Sequence, residues 1–411
     1  MGSWQTTNRS SLERAPSTAE SVTLMALLIS LVALSIDAML PALPQLGADL
    51  GARHPGDTPL VLSALFLGLS LGQLIAGPVS DSIGRRGVVL SGLAVYLVGS
   101  AICALSGDFN TLLLGRLIQG LGVAGPRVVT VAIVRDRYAG DAMARIMSFI
   151  MSVFILVPVV APALGQIIAD WAGWRAIFWG FLLLGALAGL WFTFRQPETL
   201  TVERRTPFTL TRIWTGIRET LRHPDVIGYI AAAGCVFGAL VGYLASAQPI
   251  FADQYELGEQ FPIYFAVLAL AIGAASILNA RLVMTLGMRR LMRLALMAFS
   301  LMSLAATGLA LATGGHPPLW ALMTYLMAGF FTQGILFGNL NAAAMEPLGH
   351  IAGLGSAVYG AATTLISLTL GAVIGRAYDG TVLPLVLAFT GLGLAALVIV
   401  LAVERRGGRD D

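Results

Sequence analysis

The sequence predicts an all-α polytopic membrane protein with twelve transmembrane helices in two pseudo-symmetric six-helix halves. Of the 411 residues, 57% are hydrophobic and only 11% are charged, whereas soluble domains carry about 25% charged residues. The apolar residues are gathered into stretches of roughly 20, the length at which a helix spans the hydrocarbon core of a bilayer. These observations exclude an ordinary soluble domain.

Twelve apolar stretches of this kind follow one another along the chain. They lie at 22–44, 60–80, 88–106, 109–132, 144–169, 174–194, 226–251, 261–284, 291–313, 318–342, 352–376 and 382–403. Most connections are short, but one is a longer polar and amphipathic linker. The predicted division is a tail at 1–21, a first half at 22–195, the linker at 196–225, a second half at 226–403 and a tail at 404–411.

The first apolar stretch does not have the form of a secretion signal. A polar tail of about twenty residues precedes it, the stretch is too long for a signal core, and no small-residue cleavage site leads into a soluble domain. We interpret it as a retained first transmembrane helix.

The placement of arginine predicts the orientation, because inner loops of membrane proteins are enriched in basic residues. With the N-terminus inside, the inner segments hold 20 of the 25 arginines and the outer loops hold three. The sequence therefore predicts that both termini are cytoplasmic.

No catalytic or cofactor motif is present in the sequence. Cys103 and Cys235 lie in separate apolar stretches, and the four histidines form no cluster with metal-ligand spacing. No glycine-rich phosphate loop follows a strand. We expect no enzyme activity, no cofactor or metal and no nucleic-acid partner, so an ion gradient would supply the energy for transport.

The two halves show weak internal similarity. "GPVSDSIGRRG" (77–87) lies between the second and third spans, and "ARLVMTLGMRR" (280–290) lies between the eighth and ninth. Gly84 aligns with Gly287, but Met284 stands where the first half has Asp81. "LPALPQ" ends the first span, as "ASAQPIF" ends the seventh. Parallel half-repeats of this kind place a substrate site between the halves.

The loop after the second span carries the most specific motif, G-x-x-x-D-x-x-G-R-[RK]. Its residues are Gly77, Asp81, Gly84, Arg85 and Arg86. Together with the twelve spans and the central linker, this motif resembles the major facilitator superfamily. "LLLGRLIQGLGVAG" in the fourth span, which includes Arg116 and Gln119, resembles the motif of the drug–proton antiporters.

Three longer stretches narrow the resemblance to the Bcr/CflA-type multidrug-resistance transporters. They are "LSIDAMLPALPQLGADLG", "RDRYAGDAMARIMSFIMSVFILVPVVAPALGQ" and "SAQPIFADQYELGEQFPIYFAV". The resemblance covers essentially the whole chain. It implies a major facilitator fold and a monomeric exporter in the bacterial inner membrane that exchanges small amphiphilic compounds for protons.

Asp37 is the only acid in the interior of any predicted span. A charge at the bilayer centre costs roughly 2.5–3.5 kcal/mol on insertion scales, so an intramembrane carboxylate seldom faces lipid. The acid can avoid this cost by taking up a proton, which makes it a natural proton carrier. The alternative is a structural role as the partner of a buried arginine.

Two arginines lie in the fourth span. Arg116 lies at a depth similar to that of Asp37, and its permanent charge would keep the acid exchangeable, directly or through water.

Arg127 departs from the family pattern, which has an apolar residue there. Eleven residues are close to three turns, so the two arginines share a face. By resemblance that face, with Gln119, lines the central cavity. Arg127 either contacts an anionic substrate group, or it snorkels or pairs with Asp136.

The loop motif is expected to act as a conformational gate. Its glycines allow a tight turn, and its acid and arginines can bridge neighbouring elements. By resemblance, Asp81 and its neighbours Arg85 and Arg86 help to hold the outward-facing state, together with Asp136.

Further candidates lie in the fifth, seventh and tenth spans. In the fifth span, Pro158, Pro162 and Gly165 resemble part of the antiporter motif and are expected to permit bending and close helix contact. Tyr243 and Gln333 are candidate substrate contacts, although polar residues in membrane helices are more often interhelical ties.

The sequence thus predicts a proton-coupled antiporter that exports small amphiphilic compounds such as phenicols. Three alternatives stay open: an exporter of a specific siderophore or metabolite, an uptake symporter of the same fold, and a membrane receptor or assembly factor that transports nothing.

Overall fold

The structure, a computed structural model, describes residues 17–52, 57–138 and 140–407, and these ranges contain fourteen α-helices. The helices are α1 Thr18–Asp37, α2 Leu43–Asp49, α3 Leu60–Ile83, α4 Arg85–Leu105, α5 Phe109–Arg137, α6 Gly140–Ala172, α7 Trp174–Arg195, α8 Leu210–Thr220, α9 Pro224–Pro249, α10 Phe261–Leu286, α11 Met288–Ala312, α12 Leu319–Met345, α13 Ala352–Arg376 and α14 Leu383–Gly407. Most of the predicted N-terminal tail and the last four residues of the C-terminal tail lie outside the described residues.

Twelve segments within the described ranges are long and apolar enough to cross a membrane. The first comprises α1 and α2, and each of α3–α7 and α9–α14 forms one more. The predicted all-α polytopic fold with twelve spans is therefore confirmed. The remaining helix, α8, lies in the linker between α7 and α9.

The first span is broken where the sequence predicted a continuous helix. α1 ends at Asp37, and a 3₁₀ turn at Leu40–Ala42 leads into α2. The cause is Pro41, which has no N–H to donate to the carbonyl of Asp37 four residues earlier. The break places the acid at a helix end inside the span.

The seventh span repeats this feature. α9 ends at Pro249 and continues as a π-helical turn, Ile250–Gln254. The turns before α4 and α11 also match, because Gly84 and Gly287 both have positive φ, at 109° and 75°. The weak similarity between the halves thus corresponds to equivalent breaks and turns in the fold.

The two halves meet mainly where α3 packs against α13 and α6 packs against α10. Midway along the first interface, the hydroxyl of Ser70 donates a hydrogen bond of 2.8 Å to the carbonyl of Ala361. At one end, a Cβ on Gly77 would contact α13. At the other end, Arg376 pairs with Asp57 at 3.5 Å. The α3–α13 interface therefore holds the halves together over its whole length.

α6 approaches the broken first span very closely. A Cβ on Gly165 would overlap the backbone carbonyl of Ala38, so only glycine fits there. The helix runs on through Pro158 and Pro162 without ending. Gly165 therefore fixes the packing of α6 beside Asp37.

Candidate functional site

Asp37 is the only buried acid among the described residues, with 5% of its surface exposed. Its carboxylate accepts no hydrogen bond from another described residue and forms no ion pair with one. An ionised carboxylate without a partner is costly to bury, so the group is suited to taking up a proton or a ligand. Its place at the end of α1 follows from the proline four residues later.

Tyr243 of α9 lies opposite Asp37 in the second half. It is 1% exposed, its hydroxyl has no partner among the described residues, and it interacts electrostatically with Asp37. Its ring stacks on Phe265 with centroids 6.0 Å apart and meets Phe330 edge-on at 4.8 Å. The two halves thus bring an acid and a phenol close together.

Gln333 of α12 is fully buried, and neither its amide nitrogen nor its amide oxygen has a partner among the described residues. It lies one turn beyond Phe330, which contacts the ring of Tyr243. Most buried polar side-chain atoms in proteins are hydrogen-bonded, so orphaned groups point to a missing ligand or water. We call Asp37, Tyr243 and Gln333 the central polar site.

Arg116 does not pair directly with Asp37, so of the two expected relations, direct or through water, the direct one is not formed. Its Nη2 donates to the carbonyl of Ser35 at 2.8 Å, its Nη1 to the Oε1 of Gln119 at 2.7 Å, and its Nε to the carbonyl of Val61 at 3.3 Å. Positions 35 and 37 are two residues apart, about 200° around a helix. The arginine reaches one face of α1, and the acid lies on the other.

Arg116 and Gln119 also do not line an open cavity, contrary to the sequence-based expectation. Both are fully buried. The remaining amide of Gln119 donates to the hydroxyl of Ser100 at 2.9 Å. The two side chains tie α5 to α1, α3 and α4, and their polar groups are occupied by protein partners.

Arg127 is partly exposed and has neither a hydrogen bond nor an ion pair with another described residue. The alternative pairing with Asp136 is not formed, because that acid accepts a hydrogen bond of 3.0 Å from Arg85. Thr130, one turn further along α5, is fully buried, and its hydroxyl has no partner within the described part of the chain. α5 therefore presents a cation and an unpaired hydroxyl about one turn apart.

Three of the predicted gate residues, Asp81, Arg85 and Asp136, come together around the side chain of Arg85, whereas Arg86 donates to the carbonyl of Thr193 at 2.6 Å. Arg85 is 4% exposed. Its guanidinium pairs with Asp81 at 2.5 Å and with Asp136 at 3.0 Å, and it donates to the hydroxyl of Ser80 at 2.8 Å. The positive φ of Gly84 turns the chain so that this arginine begins α4. We call Asp81, Arg85 and Asp136 the arginine lock.

Glu198 completes this region, although no sequence motif pointed to its role. Its carboxylate accepts the backbone N–H groups of Arg85 at 2.9 Å and Arg86 at 3.1 Å, the first two residues of α4. An acid is stabilising at a helix N-terminus because of the helix dipole. Burial alone would raise the pKa of Glu198, but backbone hydrogen bonds from Leu200, Arg85, Arg86 and Thr199 outweigh it and hold that pKa below its usual value.

The second half carries a partial copy of the arginine lock. Arg289, which aligns with Arg86, pairs with Glu346 at 3.2 Å. Both partners are more than half exposed. Met284 stands where the first half has Asp81 and is 84% exposed, and Met288 stands where it has Arg85. The copy therefore lacks the central arginine, the loop acid and the burial of the original.

The described residues contain no group of three or more His, Cys, Asp or Glu side chains that could hold a metal ion. The central polar site consists of a carboxyl group, a phenol and an amide, all of which can form hydrogen bonds.

Comparison with known proteins agrees with the geometry. The family model described as "Major Facilitator Superfamily" matches residues 25–375. An uncharacterised MFS-type transporter of Bacillus subtilis, YdgK, is 31% identical over 85% of this chain and 86% of its own length. The bicyclomycin resistance protein homolog of Haemophilus influenzae is 28% identical over 89% and 91%. The multidrug resistance protein MdtL of Salmonella heidelberg is 28% identical over 82% of each chain.

Solved structures show the same fold. A peptide transporter crystallised with sulfate superimposes with a TM-score of 0.74 at 14% identity, over 96% of this chain and 95% of its own.

Proposed function

The chain belongs to the Major Facilitator Superfamily of membrane transporters, and from this premise we propose that it is a proton-coupled antiporter that exports small amphiphilic compounds. One observation carries the proposal: the only buried acid of the described residues, Asp37, has no hydrogen-bond or ion-pair partner among them and interacts electrostatically with Tyr243 of the other half. The names of the relatives support the export of drugs.

In the proposed cycle Asp37 is the proton carrier. It takes up a proton when the site opens to the outside. Because the acid is then neutral, the protein can pass through its closed state without the cost of a buried charge. When the site opens to the cytoplasm, substrate binding near Tyr243 displaces the proton. The ligand shifts the balance between the two states because it binds one of them better.

Arg116 has an indirect part in this proposal. Its hydrogen bond to the carbonyl of Ser35 holds the end of α1 against α5, and so it positions Asp37 without contacting it. A permanent charge in the same region also favours release of the proton from the acid, since it stabilises the carboxylate. We keep it as a coupling residue that acts through α1.

The substrate class follows from Arg127. An arginine with no described partner inside a span repels lipophilic cations and attracts anionic or strongly polarised groups. The unpaired hydroxyl of Thr130 adds a hydrogen-bond donor one turn away. We therefore propose neutral, zwitterionic or anionic substrates, such as phenicol-like drugs or siderophores, rather than quaternary ammonium dyes.

The arginine lock and Glu198 form the proposed gate, beside the contact between α3 and α13 at Gly77. The arginine distribution supports a placement in the bacterial inner membrane with both termini in the cytoplasm. Nothing in the proposed cycle requires a second copy of the chain, so we propose a monomer.

The test is a panel of compounds applied to bacteria that lack their own efflux pumps and express this chain. The panel contains chloramphenicol, bicyclomycin and tetraphenylphosphonium, and everted vesicles from the same cells report proton movement with a pH-sensitive dye. We expect resistance to at least one of the first two, with proton release from vesicles when that compound is added. Resistance without proton movement, or proton-driven uptake of the compound by whole cells, would contradict antiport.

A further inference from the structure

The linker helix α8 has an apolar stripe that the described parts of the protein cover only in part. Leu210, Ile213, Trp214 and Ile217 follow the spacing i, i+3, i+4 and i+7, and Leu221 comes just after the helix. At 100° per residue they fall within a sector of about 100°. Leu210 is 76% exposed, Trp214 is 66% exposed, and Leu221 is 49% exposed.

The protein packs against a different face of this helix. Gly216 and Thr220 are buried, and a Cβ on Gly216 would overlap the side chain of Leu354 in α13. These two positions lie roughly 80–120° from the centre of the stripe. The fold thus accounts for the small residues of α8 and leaves its large apolar residues at least partly exposed.

α8 packs at one end of a candidate membrane span. Leu354 belongs to the first turn of α13, and the stretch of α13 that is long and apolar enough to cross a membrane starts at Gly353. We therefore expect a helix that packs against this turn to lie beside the lipid headgroups. Its stripe therefore continues the apolar surface of the spans.

Basic residues flank the stripe on the side away from the bundle. Arg218 and Arg222 are exposed, and neither has an ion pair with another described residue. Their helical positions lie about 80° and 120° from the stripe centre. Trp and Leu on one face with Arg beside them are typical of helices that lie in a bilayer interface and bind anionic lipids.

We propose that α8 is a binding site for the headgroups of anionic phospholipids, with Trp214 and Leu210 inserted at the acyl boundary and Arg218 and Arg222 contacting phosphate. A protein partner would need an apolar groove at membrane level. The lipid is already at that level and carries the complementary charge.

The site can be tested with the full-length protein in nanodiscs of phosphatidylcholine, with or without phosphatidylglycerol. Lipids brominated near the headgroup end of the acyl chains quench nearby tryptophans. Because the chain has seven Trp, the signal of Trp214 is taken as the difference between wild type and Trp214→Phe. We expect this difference to be quenched by the brominated lipid. If only an aqueous quencher reduces this difference signal, the stripe faces water or binds another protein, and the proposal is overturned.

The headgroup preference is measured by competition of spin-labelled phosphatidylglycerol and phosphatidylcholine for the protein. A basic residue near an anionic surface contributes about fivefold in affinity. Arg218→Gln with Arg222→Gln should therefore lower the preference at least about fivefold. The matched control is Arg405→Gln with Arg406→Gln, two exposed arginines at the end of α14. An equal loss in both double variants would indicate general surface charge and would contradict a site on α8.

Discussion

Asp37 and Tyr243 interact electrostatically across the boundary between the two halves, and neither side chain has a hydrogen-bond partner among the described residues. Each is at least 95% buried. Two orphaned polar groups at this boundary are expensive for stability, because an unsatisfied buried group costs about 1–3 kcal/mol. We interpret this cost as a consequence of the proposed transport cycle, in which a proton and a substrate bind at this boundary in turn.

Replacement of Gln333 by leucine should stabilise the protein and impair transport. Neither amide atom has a partner among the residues that the structure describes, so removing them abolishes a desolvation cost of about 1–3 kcal/mol. We expect a higher melting temperature in detergent and weaker export. The matched control is Asn339→Leu on the same helix, whose amide is bonded to Asn279 at 2.8 Å and which should lose stability. A melting temperature that falls in Gln333→Leu would show that this amide is satisfied.

Replacement of Arg127 by alanine should admit monovalent cations. A unit positive charge about 6 Å from a cationic substrate costs roughly 3 kcal/mol at an effective dielectric of about 20. This corresponds to about two orders of magnitude in affinity. Wild type should not export tetraphenylphosphonium, whereas Arg127→Ala should, and the exposed Arg135→Gln on the same helix should behave as wild type. Efficient wild-type export of this cation would refute the proposed charge selection.

Replacement of Asp81 by asparagine should slow transport and leave substrate affinity nearly unchanged. The arginine lock acts on the balance between states, whereas the substrate contacts lie elsewhere. The control is Glu346→Gln in the exposed copy of the lock, which should have a smaller effect because exposed ion pairs contribute about 0–1 kcal/mol. The measurement is the rate and the half-saturating concentration of export in vesicles. Lost affinity at an unchanged maximal rate would place Asp81 in the substrate site.

Replacement of Glu198 by alanine should lower the stability of the protein at neutral pH and make that stability less dependent on pH in the acidic range. Loss of a side chain that caps a helix N-terminus costs typically about 1 kcal/mol. Since the pKa of Glu198 is lowered in the folded protein, its contribution is complete at neutral pH. This contribution is lost as the pH falls below the ordinary pKa of glutamate and through the lower pKa that Glu198 has in the folded protein. Melting temperatures should therefore converge for the two proteins at low pH. Parallel curves at all pH values would contradict the capping role.

The spans and the Asp81–Arg85 pair of the arginine lock could be predicted from the sequence because their signals are local, whereas Asp136, 51 residues further on, was named only by resemblance. Apolar length marks a span, and the loop motif gathers Asp81 and Arg85 within five residues. The end of α1 at Asp37 could also have been predicted, since Pro41 has no N–H to donate to the carbonyl of Asp37. That break was missed because the apolar run continues through it.

The partners of Arg116 and Glu198 could not be predicted in this way. Arg116 binds the carbonyls of Ser35 and Val61, and backbone acceptors occur at every residue and leave no pattern in the sequence. Glu198 caps a helix that begins 113 residues earlier, so no spacing relates the two. Such long-range hydrogen bonds to the backbone depend on how the helices pack.

The most direct test of proton coupling compares wild type with Asp37→Asn in everted vesicles, using a compound that the wild type exports. Asparagine keeps the size and the hydrogen bonding of the acid but cannot titrate. An imposed proton gradient should drive accumulation by wild type and by the exposed Asp170→Asn control, while Asp37→Asn should insert and fold but accumulate nothing. If Asp37→Asn accumulates the compound as well as wild type, Asp37 does not carry the proton.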